Sequence, residues 1–244
     1  MATIKTKGIV LTENNSGDYD KMLMILTPGQ GKINCIAKGA RRPKSLLMPG
    51  SQFLCFADYI LYKGKDIYTI NSCDTIEFFY NVRTDLDKYQ YATYITKIVK
   101  DVATEGENSY RILQLLLNTM YMISETDKNL RLILSIFELR LLTIIGFRPN
   151  TDKCVNCGIK EDIKYFSLKD NGFKCSSCGK ADKSCIEILA TTADAIKYIC
   201  TAPAKKIYSF NVPEESIKEL EIVSKLYLNE KLEKEYKLEN LFKN

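Results

Sequence analysis

Gly31-Lys32-Ile33-Asn34-Cys35-Ile36-Ala37 runs without a break into Lys38-Gly39-Ala40-Arg41-Arg42-Pro43-Lys44-Ser45. The first seven residues carry a period of two, with Ile33, Cys35 and Ala37 on one face, as in a strand with one buried side. The next eight hold four positive charges, no acid, and a glycine and a proline that punctuate a loop. Outward from this core, residues 4–11, 19–26, 52–61 and 67–76 are short segments rich in Ile, Val, Thr, Tyr and Phe. Turn residues separate them at Asn14-Asn15-Ser16-Gly17-Asp18, Pro28-Gly29-Gln30-Gly31, Pro49-Gly50 and Lys63-Gly64-Lys65. Five short strands in residues 1–80 predict a small β-barrel, and the pattern alone suits an OB-type or an SH3-like barrel. Gly29-Gln30-Gly31-Lys32 resembles a phosphate loop only superficially. The first glycine is missing and Ile33 stands where Ser or Thr is required, so the segment is expected to be a hairpin turn.

From Asn81 the period changes to 3.6. Leu86, Tyr89, Ala92, Ile95, Val99 and Val102 share a helical face that Gly106 is expected to end, and Tyr110, Leu113, Leu117 and Met120 define the next helix. Residues 130–145 are apolar nearly all round and predict the buried centre of a helical body. Gly146 suits a C-terminal cap, and Pro149 prevents continuation. Thr191 and Asp194 suit the start of a short helix near Thr192. A last helix is expected from Pro213 to about Tyr236. The paired acids Asp18/Asp20 and Glu214/Glu215 read as turn chemistry and helix-dipole compensation.

Between those helices lie Cys154-Val155-Asn156-Cys157-Gly158 and Cys175-Ser176-Ser177-Cys178-Gly179. Two residues between cysteines let both sulfurs of a knuckle turn inward, and the following glycine relieves the backbone. Two knuckles together make a closed S4 cage, the structural arrangement that zinc takes. One structural zinc per chain, on Cys154, Cys157, Cys175 and Cys178, is therefore expected. Unrelated redox pairs or an iron–sulfur cluster are the other uses of such cysteines, although no thioredoxin-like βαβ unit surrounds either pair. The insert at about 150–183 has few large apolar residues and is expected to depend on the metal. Cys35, Cys55, Cys73, Cys185 and Cys200 are scattered and read as packing residues, the first three in strands.

Composition narrows the function. The chain has 244 residues and no histidine, which removes Ser-His-Asp and Cys-His nucleophilic pairs, His-ligated zinc hydrolase sites and imidazole bases. Catalysis by carboxylates or lysine stays open, but the commonest catalytic groups are missing. Nine cysteines, an odd number, exclude a fully paired disulfide framework. No stretch approaches the ~18–20 uninterrupted apolar residues of a membrane span, and no basic flank with an apolar segment marks a signal peptide, so the cytoplasm is expected. The net charge of +5 decides little, but Lys38, Arg41, Arg42 and Lys44 concentrate four charges where phosphates could be contacted without regard to base sequence. Tyr59, Tyr62 and Tyr68 on the same barrel could stack bases or could belong to its core.

These pieces together resemble one family. Gly8-Ile9-Val10-Leu11, Leu26-Thr27 with Gly31-Lys32, and Lys38 through Ser45 are similar to the N-terminal barrel of the RecO DNA repair family. Phe137-Glu138-Leu139-Arg140-Leu141-Leu142, then Gly146-Phe147-Arg148-Pro149 leading into both cysteine knuckles, resemble its helical centre and zinc module. The likeness covers nearly the whole chain in order. It weakens at Leu46-Leu47-Met48-Pro49-Gly50 and in the acidic stretch around 230–239. The resemblance implies an α+β protein: an OB-type barrel over 1–80, then a helical domain over 81–244 carrying the zinc module. It also implies a non-catalytic recombination mediator, cytoplasmic and nucleoid-associated. Such a protein binds single- and double-stranded DNA, anneals complementary strands, and acts with RecR. It engages the acidic C-terminal tail of single-strand-binding protein and so helps to load RecA. Lys38, Arg41, Arg42 and Lys44 inherit the DNA-binding role and the four cysteines zinc ligation. Arg131 and Arg140 are candidates for the acidic tail. The rival readings are a carboxylate-and-magnesium nuclease, for which no acidic cluster speaks, and a zinc-bearing transcription or protein-interaction module.

Overall fold

The structure, a computed structural model, describes residues 3–238. The fold is α+β, and the chain divides between Glu125 and Thr126 into two compact units.

The first unit is built on five strands: β1 (Thr3–Ser16), β2 (Asp20–Thr27), β3 (Gly31–Ala37), β4 (Phe56–Lys63) and β5 (Tyr68–Glu77). They close into a barrel of order β1-β2-β3-β5-β4. Every pairing is antiparallel except β3 with β5, where Cys35 faces Tyr68 and Ile36 faces Thr69. That order, with its parallel seam, is the OB-type arrangement and settles the choice the pattern left open. Alternation places Ile33, Cys35 and Ala37 inside, as expected, beside Val10, Ile25 and Tyr59. β1 is longer than its apolar pattern, because Asn14, Asn15 and Ser16 stay in register with Met22, Lys21 and Asp20. Gln52 and Cys55 lie ahead of β4, after a single 3-10 turn (Pro49–Ser51), so Cys55 is not a strand residue.

Three helices, α1 (Tyr80–Thr84), α2 (Leu86–Val102) and α3 (Tyr110–Glu125), complete this unit. The buried face of α2 is Ala92, Tyr94, Ile95, Thr96, Ile98 and Val99, while Leu86 stays exposed. Gly106 does not end that helix. α2 stops at Val102, and the Gly106 amide donates to the Gln30 carbonyl at 2.9 Å in a loop docked on the β2–β3 turn. Gly29-Gln30 is the hairpin turn expected. Gly31 is required there: its φ is +65°, and a Cβ would stand 1.8 Å from the Thr104 oxygen.

In the second unit α4 (Leu130–Ile144) is buried nearly all round and packs on α6 (Ala190–Thr201) and α7 (Glu214–Lys231). Glu138, 2% exposed, accepts a hydrogen bond from the Ser224 hydroxyl at 2.6 Å, so the one carboxylate on the inner face of α4 is satisfied. Gly146, at φ +98°, caps α4 as predicted, and the Phe147 amide reaches back to the Leu142 carbonyl. α6 begins at Ala190, before the predicted start, and neither Thr191 nor Asp194 caps it. Glu219 of α7 does, accepting from the Leu189 amide at 2.8 Å and the Thr192 hydroxyl at 2.5 Å. Glu219→Ala is expected to cost about 1–2 kcal/mol, for a lost cap and an unpaired buried hydroxyl. Chemical denaturation with an unchanged midpoint would show the cap to be idle. α7 ends at Lys231, earlier than expected, because Glu233 turns left-handed at φ +49° and the Lys234 amide closes back onto the Asn229 carbonyl. Of the acidic stretch around 230–239, Glu239 lies outside the described residues.

Candidate nucleic-acid interface and metal centre

The basic loop leaves the end of β3 and is held in one conformation by its neighbours. The Gly39 amide donates to the Asp20 carboxylate at 2.7 Å, and the Arg41 amide to the Tyr19 carbonyl at 2.9 Å. Successive turn bonds join Ala40 to Ala37, Arg42 to Gly39, Ser45 to Arg42 and Met48 to Ser45. Lys44 sits at φ +63°, a left-handed conformation that costs a residue with a Cβ about 1–2 kcal/mol. The turn bonds on both sides maintain it. Lys38, Arg41, Arg42 and Lys44 are all exposed. Among the described residues none of the four pairs with a carboxylate. The structure therefore brings the four predicted cations onto one clamped loop.

Two of them already have a use there. The Arg41 guanidinium donates to the Gly17 carbonyl at 3.2 Å, and that of Arg42 lies 5.1 Å from the centre of the Tyr19 ring. Tyr19, half exposed, is the aromatic that sequence reading missed. The pattern marks it only as the first residue of a strand segment, and the contact depends on a hairpin that sequence alone does not fold. Of the tyrosines considered, Tyr59 and Tyr68 belong to the core, Tyr59 donating to the Gly50 carbonyl at 2.7 Å. Tyr62 is exposed.

The cysteine knuckles are carried on a small sheet of β6 (Ile163–Ser167), β7 (Gly172–Cys175) and β8 (Ile186–Glu187), with α5 (Ser176–Lys180) after β7. The first knuckle closes when the Gly158 amide donates to the Cys154 carbonyl and the Cys154 amide to that of Ile159. Gly158 has φ +79°, as its expected role requires. Gly179 serves a different purpose: a Cβ there would lie 2.1 Å from the Tyr165 ring. The sulfurs of Cys154, Cys157, Cys175 and Cys178 all lie within 4.8 Å of one another, and Cys157 and Cys175 are 3.6 Å apart. A tetrahedron with metal–sulfur bonds of about 2.3 Å has edges of about 3.8 Å, so the donor set and its size fit one metal ion.

The thiols respond to this crowding. Burial opposes ionisation of Cys154, but amide hydrogen bonds from Cys157, Cys175 and Asn156 outweigh it and pull its pKa to about 6. Cys178 is pushed up to about 12 by its hydrogen bonds to Cys157 and Cys175. Like charges this close do not all ionise unless a cation lies among them.

The insert is better packed than its composition promised. Phe166 and Phe173 are buried edge to face at 6.2 Å, and Phe166 meets Tyr227 at 5.3 Å. Buried Lys174 bridges Asp170 at 2.5 Å and Asp182 at 2.7 Å. Desolvation works against its charge, yet the two carboxylates raise its pKa. Cys35, Cys55, Cys73, Cys185 and Cys200 lie outside the four-sulfur cluster. Arg131 pairs with Glu214 and with Glu221 at 3.5 Å, and the Arg140 guanidinium donates to the Ile199 and Cys200 carbonyls. Both arginines thus hold the second unit together.

Among the described residues no helix is long and apolar enough to cross a membrane. Residues 1–79 match the family described as Recombination protein O N terminal, and residues 83–239 the one described as Recombination protein O C terminal. The chain is 44% identical to a DNA repair protein RecO of Acetivibrio thermocellus, over 97% of this chain and 94% of that one. It is 36% identical to a RecO of Alkaliphilus metalliredigens, over 92% of each. It is 32% identical to one of Caldicellulosiruptor bescii, over 100% of this chain and 99% of the other. Matches that run through both the barrel and the cysteine module, at this identity and coverage, establish that the chain belongs to the RecO family.

Proposed function

We propose that the protein acts in DNA repair as a non-catalytic recombination mediator. In this reading it binds single- and double-stranded DNA, anneals complementary strands, and helps to load recombinase onto DNA coated with single-strand-binding protein. The observation that carries the reading is the clamped loop whose four cations form no ion pair among the described residues. Phosphates are the complementary ligand, and a loop already ordered loses little entropy on meeting them. The barrel of 1–80 is the proposed DNA-binding domain, with Lys38, Arg41, Arg42 and Lys44 as the phosphate contacts. The helical domain of 81–244 carries the module at 150–183. Zinc is the proposed occupant of Cys154, Cys157, Cys175 and Cys178. Thiolates favour it, and a closed S4 cage with no open position gives it a structural task.

RecR and the acidic tail of single-strand-binding protein are the proposed protein partners, with RecA reached indirectly, in a cytoplasmic, nucleoid-associated setting. The test uses labelled complementary strands, bare and coated with single-strand-binding protein. Accelerated annealing of intact strands is the expected result. Metal-dependent cleavage would replace this reading with a nuclease, and no association with DNA would replace it with an interaction module.

A further inference from the structure

Leu46 follows the four cations, and at 89% it is the most exposed large apolar side chain among the described residues. Single exposed leucines are common and need no purpose, but this one is held out by its surroundings. Its neighbour Leu47 packs against the barrel core. The Leu47 amide donates to the Ser45 hydroxyl, the Met48 amide to the Ser45 carbonyl, and the Ser51 hydroxyl to the Leu47 carbonyl. The carbonyl of Leu46 itself accepts from the Cys73 thiol at 3.9 Å. On this hydrogen-bonded backbone the Leu46 side chain stands in water, and Met48, two residues on, is partly exposed.

We propose that Leu46 is a wedge that enters the base stack of bound DNA. The proposal rests on the reading of the basic loop as a phosphate track. Arg42 and Lys44 draw a polyanion to the loop, and the strand they attract offers one apolar interior, the space between its bases. Leucine is among the side chains that unstack base steps in this way. A wedge that separates neighbouring bases presents them for new pairing, which suits strand annealing. The stretch 46–50 thus supplies base contact where Lys38 to Lys44 supply charge.

The test uses the full chain and an oligonucleotide with 2-aminopurine in an adenine run, where unstacking raises fluorescence. Saturating wild-type protein should brighten the probe. Leu46→Ala should bind with the same salt dependence and roughly ten- to a hundredfold weaker, the loss of one leucine's burial. Its saturated complex should be nearly as dim as free DNA, and Leu46→Met should restore the signal. An unchanged thermal midpoint shows that Leu46→Ala is folded. A saturated Leu46→Ala complex as bright as wild type overturns the wedge. If Arg41→Ala/Arg42→Ala meanwhile flattens the salt dependence, the phosphate track stands without it; if that double variant changes nothing, both readings fall. Binding to phosphatidylglycerol vesicles that Leu46→Ala abolishes, with an unchanged aminopurine signal, also overturns it and makes the loop a membrane contact.

Discussion

Cys157→Ser is expected to purify with well under one metal ion per chain, against one zinc in the wild type. Cys157 is the cleanest ligand to remove because it is exposed, whereas Cys154 and Cys175 are buried and their loss would also disturb packing. Structural zinc on such ligands binds with an apparent free energy of about 10–16 kcal/mol, and that binding is folding energy for the segment it closes. Amide hydrogen exchange should therefore rise across 150–183. Phe166 and Phe173 keep part of the sheet together, so the loosening should be greatest at the two knuckles and least along β6. The barrel is part of a separate compact unit and should keep its protection. Acid should release the ion from the wild type, since four thiolates take up protons as pH falls. Iron with visible absorbance, or no stoichiometric metal under reducing conditions, would overturn the zinc assignment.

Arg41→Ala/Arg42→Ala should weaken binding to every DNA sequence about equally, because phosphate contacts carry no base information. Two lost contacts should flatten the slope of log affinity against log salt on single strands by about 1.4, roughly 0.7 for each. The loss of the Arg42–Tyr19 contact and of the Arg41 bond to Gly17 should cost no more than about 1 kcal/mol of stability, as exposed contacts do. Asp20→Ala set against Asp20→Asn separates order from charge. Both remove the carboxylate's charge and leave all four cations, but only the alanine removes the acceptor of the Gly39 amide. Affinity should be lower for the alanine than for the asparagine variant, with the same slope. An unchanged affinity and slope in the double arginine variant would move the DNA path elsewhere.

What could be read in the sequence was local. The strand β3 and the cap at Gly146 follow from period and turn chemistry. The cysteine cage follows from spacing that acts within a few residues of itself. What escaped depends on residues far apart in the chain. Glu219 caps a helix that starts 29 residues before it, and Tyr19 supports Arg42 across a hairpin. Gly106 looked like a helix stop because glycine is a common one, but its amide is spent on the β2–β3 turn. Gly179 looked like its counterpart Gly158, yet it is glycine because Tyr165 lies against it. In the basic loop the charges were evident and the clamp was not, since Asp20 gives no local sign that it faces Gly39.

The parallel seam between β3 and β5 has a consequence for how the protein is made. Strands β1 to β3 emerge from the ribosome as a meander with two open edges, one on β1 and one on β3. The first edge is covered when residues 56–62 appear, and the second only when Tyr68 and Thr69 arrive. Unpaired edges invite pairing with other chains, and such long-range closure is slow. The loop at 38–48 waits on the same event, because Leu47 and the Cys73 thiol anchor it to a barrel that β5 completes. A nascent chain that stops short of residue 68 would carry every cation of the loop and no ordered surface on which to display them.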